Sequence, residues 1–144
     1  MKSLPEESLE GTVEQPFQFG CERCFGADPE AAWKAVREFT ELARLIDESH
    51  FIVRIVSCPQ CDQRYVMVFT ELIDWKDGDD PQYRSVLPLT ARESEQLMAQ
   101  GGKVDLRLIE SLGTSRRHLR TSWPKGGTQG IFWAEGCLSI GPHD

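Results

Sequence analysis

The stretch that decides the fold is "VRIVSCPQCDQRYVMVF", residues 53–69. Two runs of β-branched and aromatic residues flank Cys58-Pro59-Gln60-Cys61. Such runs form strands, and the proline in the short connection ends one and begins the other. The segment therefore predicts a β-hairpin over "HFIVRIVS" (50–57) and "QRYVMVFTEL" (63–72), with two thiols at its tip.

Those thiols have a candidate partner pair upstream. "FQFGCERCFG" (17–26) carries Cys21 and Cys24, so four of the five cysteines read C-x2-C…C-x2-C with 33 residues between the pairs. Thiolates two residues apart in a tight turn can both face one tetrahedral Zn²⁺ at about 2.3 Å, and two such turns close a four-cysteine shell. Cys21, Cys24, Cys58 and Cys61 are the expected ligands of one structural Zn²⁺. The shell leaves no position for water, and neither H-E-x-x-H nor the deaminase pattern is present, which argues against a catalytic metal. The fifth thiol, Cys137, reads as a small buried hydrophobe.

Gly20-Cys21-Glu22-Arg23-Cys24 and Cys58-Pro59-Gln60-Cys61 resemble the two knuckles of the zinc-ribbon fold group. The resemblance covers residues 17–70 or so and implies a pair of hairpins gripping the metal. The spacing between knuckles exceeds the ribbon's usual 15–20 residues or so. An inserted helix accounts for the excess. Asp28-Pro29 is a favoured N-cap and first-turn pair, and Ala32, Val36, Phe39, Ala43 and Ile46 recur at helical spacing through "PEAAWKAVREFTELARLIDE" (29–48). A dithiol reading competes, since C-P-x-C also resembles the active site of glutaredoxin-like proteins. That reading makes the chain a thiol–disulfide oxidoreductase acting through Cys58 and Cys61. Such dithiols work at a helix N-terminus, whereas Cys61 is followed by strand formers.

The remainder predicts a short helix and strands. Thr90 and Glu93 form a capping box for a helix to about Gln100, stopped by Gly101-Gly102. "KVDLRLIESL" (103–112) alternates as a strand through Val104, Leu106 and Leu108, although Val104, Leu108 and Leu112 also stand at helical spacing. "RRHLRTSW" (116–123) and "GIFWA" (130–134) predict a hairpin, and "CLSI" (137–140) a closing strand. The expected architecture is one α+β domain over residues 16–144. Residues 16–76 form its zinc-binding half, 77–144 add a helix and strands, and a disordered acidic arm over 1–15 precedes them.

Charge and composition bound the function. The chain of 144 residues has a net charge of −7. Residues 1–100 hold 10 Lys/Arg against 19 Asp/Glu (−9), and residues 101–144 hold 6 against 4 (+2). An acidic chain repels nucleic-acid phosphates overall. Neither a signal sequence nor an apolar run of bilayer-spanning length is present, which predicts a cytoplasmic protein without membrane attachment. Two charged segments stand out. "DWKDGDD" gathers Asp74, Trp75, Asp77, Asp79 and Asp80 near the end of the cysteine hairpin. It reads as a solvated acidic turn and a candidate protein-contact loop rather than a calcium loop, because the EF-hand order is not met. "TSRRHLR" places Arg116 and Arg120 on one face of a strand, with Arg117 between them. It reads as an internal counter-charge and, with the acidic loop, a candidate partner-binding surface, or alternatively as a nucleic-acid contact over residues 116–120. With no nucleophile motif and no phosphate loop, the expected role is a non-enzymatic interaction or regulatory module whose partner is another protein.

Overall fold

The computed structural model describes residues 18–144, so the arm expected over residues 1–15 lies outside the described residues. The elements in chain order are α1 (Glu22–Phe25), α2 (Pro29–Val36), β1 (Thr40–Glu48), β2 (Phe51–Ser57), β3 (Arg64–Glu71) and β4 (Gln82–Leu89). After these come α3 (Ala91–Gln100), α4 (Leu106–Leu112), β5 (His118–Trp123) and β6 (Gly130–Ala134). The six strands form one antiparallel sheet in sequential order, β1 to β6. The protein is an α+β domain, as its sequence leads one to expect.

Helices cover both faces of this sheet. Val53, Ile55, Val66, Val68, Leu87 and Leu89 point to one face and pack with Leu97 of α3, Ile109 of α4 and Leu138. Val56, Tyr65, Met67, Val86 and Leu119 point to the other, against Cys24 of α1 and Ala32, Ala35 and Val36 of α2. With both faces buried, the central strands need no polar alternation. "YVMVF" is apolar on successive residues for that reason.

The cysteine hairpin forms where its sequence places it. β2 pairs with β3 from Phe51↔Thr70 to Ser57↔Arg64, and the cysteine turn closes its tip. Helix α3 has its capping box, with the Thr90 hydroxyl accepting from Glu93 N–H at 3.1 Å and the Glu93 carboxylate accepting from Thr90 N–H at 2.8 Å. Helix α2 starts at the expected cap, Asp28 accepting from Glu30 N–H at 3.0 Å. β5 and β6 pair as a hairpin.

Four expectations need correction. The helix over 29–48 stops at Val36, and Thr40–Glu48 is strand β1. Bonds from Glu38 N–H to Ala35 and from Phe39 N–H to Val36 tighten the last turn, and the chain then pairs with β2. β1 is an edge strand with two bulges, between Glu41 and Ala43 and between Arg44 and Ile46, which break the two-residue period that would have marked it. Its exposed Glu41, Arg44, Asp47 and Glu48 protect the edge from pairing with another chain. Residues 103–112 hold helix α4 rather than a strand, started by Asp105, whose carboxylate accepts from Arg107 and Leu108 N–H at 3.0 and 3.2 Å. "CLSI" forms no strand; Leu138 plugs the core, and its N–H bonds to the carbonyl of Glu110. Cys137, beside it, is exposed instead of buried.

Candidate metal centre

The first cysteine pair sits on a turn of helix rather than on a hairpin. Cys21 is the N-cap of α1 and Cys24 is three residues on, so Cys21 N–H reaches the Cys24 sulfur at 3.4 Å. The second pair occupies the β2–β3 tip. There Cys58 N–H donates to the Gln63 carbonyl at 2.9 Å and Asp62 N–H donates to the Cys58 carbonyl at 2.8 Å. Closing so tight a loop puts Asp62 at φ +63, a left-handed conformation that aspartate tolerates better than most residues.

These turns bring four sulfurs together. The Cys21, Cys24, Cys58 and Cys61 ligand atoms all lie within 4.8 Å of one another. Cys21 and Cys24 Sγ are 3.7 Å apart, and Cys24 and Cys61 Sγ are 3.8 Å apart, so the contact crosses between the pairs. A tetrahedron with metal–sulfur bonds of about 2.3 Å has sulfur–sulfur edges of about 3.8 Å, whereas a disulfide requires roughly 2.05 Å. The four residues are positioned to bind a metal ion. Cys24 and Cys58 are buried, Cys61 is exposed and Cys21 lies between.

Electrostatics fit the same use. Burial pushes the Cys24 thiol up, and burial with the neighbouring Cys24 charge pushes Cys61 up to about 12. Burial also opposes a Cys21 thiolate, but the N–H groups of Cys24 and Arg23 outweigh it and bring this thiol down to about 7. Cys24 and Cys61 therefore resist ionising beside their neighbours. A bound divalent cation supplies the positive charge that makes four neighbouring thiolates compatible.

Three further residues build the site. The Tyr65 hydroxyl, buried and with its ring stacked on Phe39 at 5.1 Å, lies 3.0 Å from the Cys24 sulfur. Gln63 ties the knuckles together. Its side-chain oxygen accepts from Gly20 N–H at 2.9 Å, and its amide donates to the carbonyls of Arg64 at 2.8 Å and Leu89 at 2.7 Å. Gly20 has φ +67, and a Cβ there would stand 2.6 Å from Phe25 Cβ and 2.9 Å from both the Cys24 sulfur and the Tyr65 hydroxyl. Sequence reasoning singles out none of the three, although each lies within four positions of a cysteine in "FGCERC" or "CPQCDQRY".

The charged segments lie elsewhere. The acidic turn follows Glu71 at the open end of the β2–β3 hairpin, roughly 25 Å along β3 from the knuckle at about 3.3 Å per residue. Asp74 accepts N–H bonds from Lys76, Asp77 and Asp79, all at 3.2 Å, and with Lys125 they hold its carboxyl below the usual range. Asp80 accepts from Asp74 N–H, Asp79 accepts from Gly126 N–H, and Lys125 bridges Asp74 and Asp77 at 3.1 and 3.2 Å. Trp75 projects from this braced turn, 89% exposed. Among the arginines, Arg116 is clamped on Glu93 at 2.7 and 3.1 Å and on the Pro88 carbonyl. Arg117 donates to the Phe25 carbonyl and lies over the Phe25 and Trp133 rings. Arg120 is half-buried, pointing to the opposite sheet face from Leu119. No helix among the described residues is long and apolar enough to cross a membrane. No protein-family model, curated protein or solved structure matches this chain.

Proposed function

We propose that the chain is a non-enzymatic, cytoplasmic binding module whose fold is held by one structural Zn²⁺ on Cys21, Cys24, Cys58 and Cys61. The observation that carries the metal reading is the pair of sulfur separations, 3.7 and 3.8 Å, at the edge length of a zinc–thiolate tetrahedron. Four sulfurs fill the shell, so the ion would act on folding and not on a substrate. The dithiol alternative finds less support. Cys61 runs through a left-handed Asp62 into strand β3, with no helix N-terminus to stabilise a Cys58 thiolate.

The partner in this reading is a protein with a basic surface, engaged by the acidic turn. Trp75 supplies exposed aromatic area, and the bonds from Lys125 and Gly126 hold the turn in one shape, which lowers the ordering cost of association. Nucleic-acid contact through Arg116, Arg117 and Arg120 is disfavoured, because Arg116 and Arg117 are engaged inside the domain.

Native mass spectrometry of protein purified without added metal tests the central claim. One zinc per chain, lost on denaturation to leave the fully reduced mass, supports it. A metal-free chain lighter by two hydrogens per disulfide overturns it in favour of redox chemistry at Cys58 and Cys61.

A further inference from the structure

A second site lies on the α2 side of the sheet, away from the cysteines. A cavity of about 540 Å³ opens between α2 and the end of the sheet where β4, β5 and β6 meet. Its volume is in the range of ligand pockets, roughly 300–1,000 Å³. Trp33, Lys34 and Arg37 line it from α2 and the residue that ends it, Arg84 from β4 and Trp123 from β5. Glu30 is the one carboxylate in the lining, so the lining carries a formal +2 in a chain of net −7.

The cations here are held without carboxylate partners. Among the described residues, Lys34, Arg37 and Arg84 form no ion pair, unlike Arg23, Arg44, Arg54 and Arg116. Arg84 is the informative one. Its guanidinium lies over Phe69, 4.6 Å from the ring centroid, and over Trp33 at 5.8 Å. Ring contacts engage the flat faces of a guanidinium and leave the N–H donors around its edge available. The nearest acid, Glu71, already accepts from Gln82 at 2.7 Å and contacts His50 at 3.2 Å. Burial lowers the Arg84 pKa, the charge of Glu71 offsets part of this, and the neighbouring Arg54 adds to it.

We propose that this cavity binds a small anionic ligand carrying a flat aromatic ring, of the mononucleotide class. Arg84 would anchor the anion and Trp123 would offer the stacking surface. A bare anion would leave most of the volume unfilled and Trp123 uncovered, since that side chain is 46% exposed at the cavity mouth. A longer nucleic-acid strand would have to run on over the surface of a chain whose net charge is −7, against an overall negative field. A second cavity near the knuckles, beside Phe19 and Phe25, also contains arginines, but its Arg116 is bound to Glu93.

The test is calorimetric titration of the full chain, as purified, with adenosine 5′-monophosphate, adenosine and inorganic phosphate at low salt. Indole N–H signals of Trp33 and Trp123 are followed by NMR. The nucleotide should bind at least about tenfold more tightly than either fragment. Arg84→Gln should weaken it by about tenfold or more, since a charge-assisted anion contact is lost. Trp123→Ala, on an exposed side chain whose loss leaves the fold intact, should weaken it by about fivefold or more. Far-UV circular dichroism separates loss of fold from loss of site in the Arg84 variant. No heat and no indole shift with any of the three probes overturns the proposal. So does nucleotide binding that both variants leave unchanged, and so does tighter binding of an oligothymidylate than of the mononucleotide.

Discussion

Replacing Gly20 with alanine tests whether the knuckles are held as tightly as their geometry requires. Two separate effects act at this position. Its φ of +67 is left-handed, which costs an L-residue about 1 kcal/mol. The new Cβ would also stand 2.6 Å from Phe25 Cβ and 2.9 Å from the Cys24 sulfur and the Tyr65 hydroxyl, all well inside contact distance. Tyr65 is buried and stacked on Phe39, and Cys24 is buried, so neither can step aside. Overpacking of this kind costs about 1–3 kcal/mol. The expected total is about 3 kcal/mol. Gly78 supplies the control, because it has φ +70 in the acidic turn and nothing within 4 Å of an added Cβ. Gly78→Ala should cost only the backbone part, about 1 kcal/mol. Urea unfolding of the zinc-loaded proteins measures both, and chelator competition measures metal affinity. Gly20→Ala should lose affinity for the metal, whereas Gly78→Ala should keep it. Equal destabilisation of the two variants, or unchanged metal affinity in Gly20→Ala, would refute the claim that close packing positions the Cys24 sulfur.

Stripping the metal with a strong chelator should release α1 and α2, whose anchor on the sheet includes Cys24, while the α3–α4 face keeps its own core. Hydrogen exchange should rise over residues 20–36 and 58–65 and stay low at Val66, Leu87 and Leu97; uniform exchange across the chain would contradict two separable faces. Tyr65→Phe removes the hydroxyl beside the Cys24 sulfur and should cost about 1 kcal/mol in urea unfolding and weaken zinc in competition assays. Burial opposes the Glu93 carboxylate, but Arg116 and the Thr90 N–H outweigh it and hold its folded pKa below the usual 4.5. The stability this adds is complete above the unfolded pKa and is lost as pH falls through the folded one. Glu93→Gln should therefore cost about 1–2 kcal/mol at neutral pH, and the gap from the parent protein should narrow as pH falls below 4.5 in acid-unfolding curves.

Signals that act within a few residues are legible in the sequence alone. The Asp28 and Thr90 caps, the β2–β3 and β5–β6 hairpins and the glycine stop after Gln100 each depend on neighbours in sequence. The misread β1 depends on pairing across a tight turn, which its own residues do not announce. Residues 40–48 hold Glu41, Leu42, Ala43, Arg44 and Leu45, all good helix formers, and they continue the apolar stripe of α2. Pairing with β2 overrides that preference, and the two bulges hide the strand period. In α4 the deciding signal is local after all. Asp105 before Leu106 is an N-cap, and the alternation of Val104, Leu106 and Leu108 obscures it.

The site divides along the same line. The four ligands are legible because C-x2-C is a local pattern with a chemical meaning. What holds them is not local: Gln63 reaches Gly20 and Leu89, and Tyr65 reaches Cys24, across 43, 26 and 41 residues. The Arg84 cavity is further still from sequence reading. It is assembled from α2 and three strands, and its basic lining is invisible in a chain whose first hundred residues sum to −9. Net charge describes the average field of the surface, while a binding site depends on which charges the fold leaves unpaired. Arg116 and Arg117 form the densest basic run in the sequence and are neutralised or covered by their neighbours. Arg84 is isolated between Tyr83 and Ser85 in the chain, yet with Arg37 it brings a guanidinium without a carboxylate partner to the cavity.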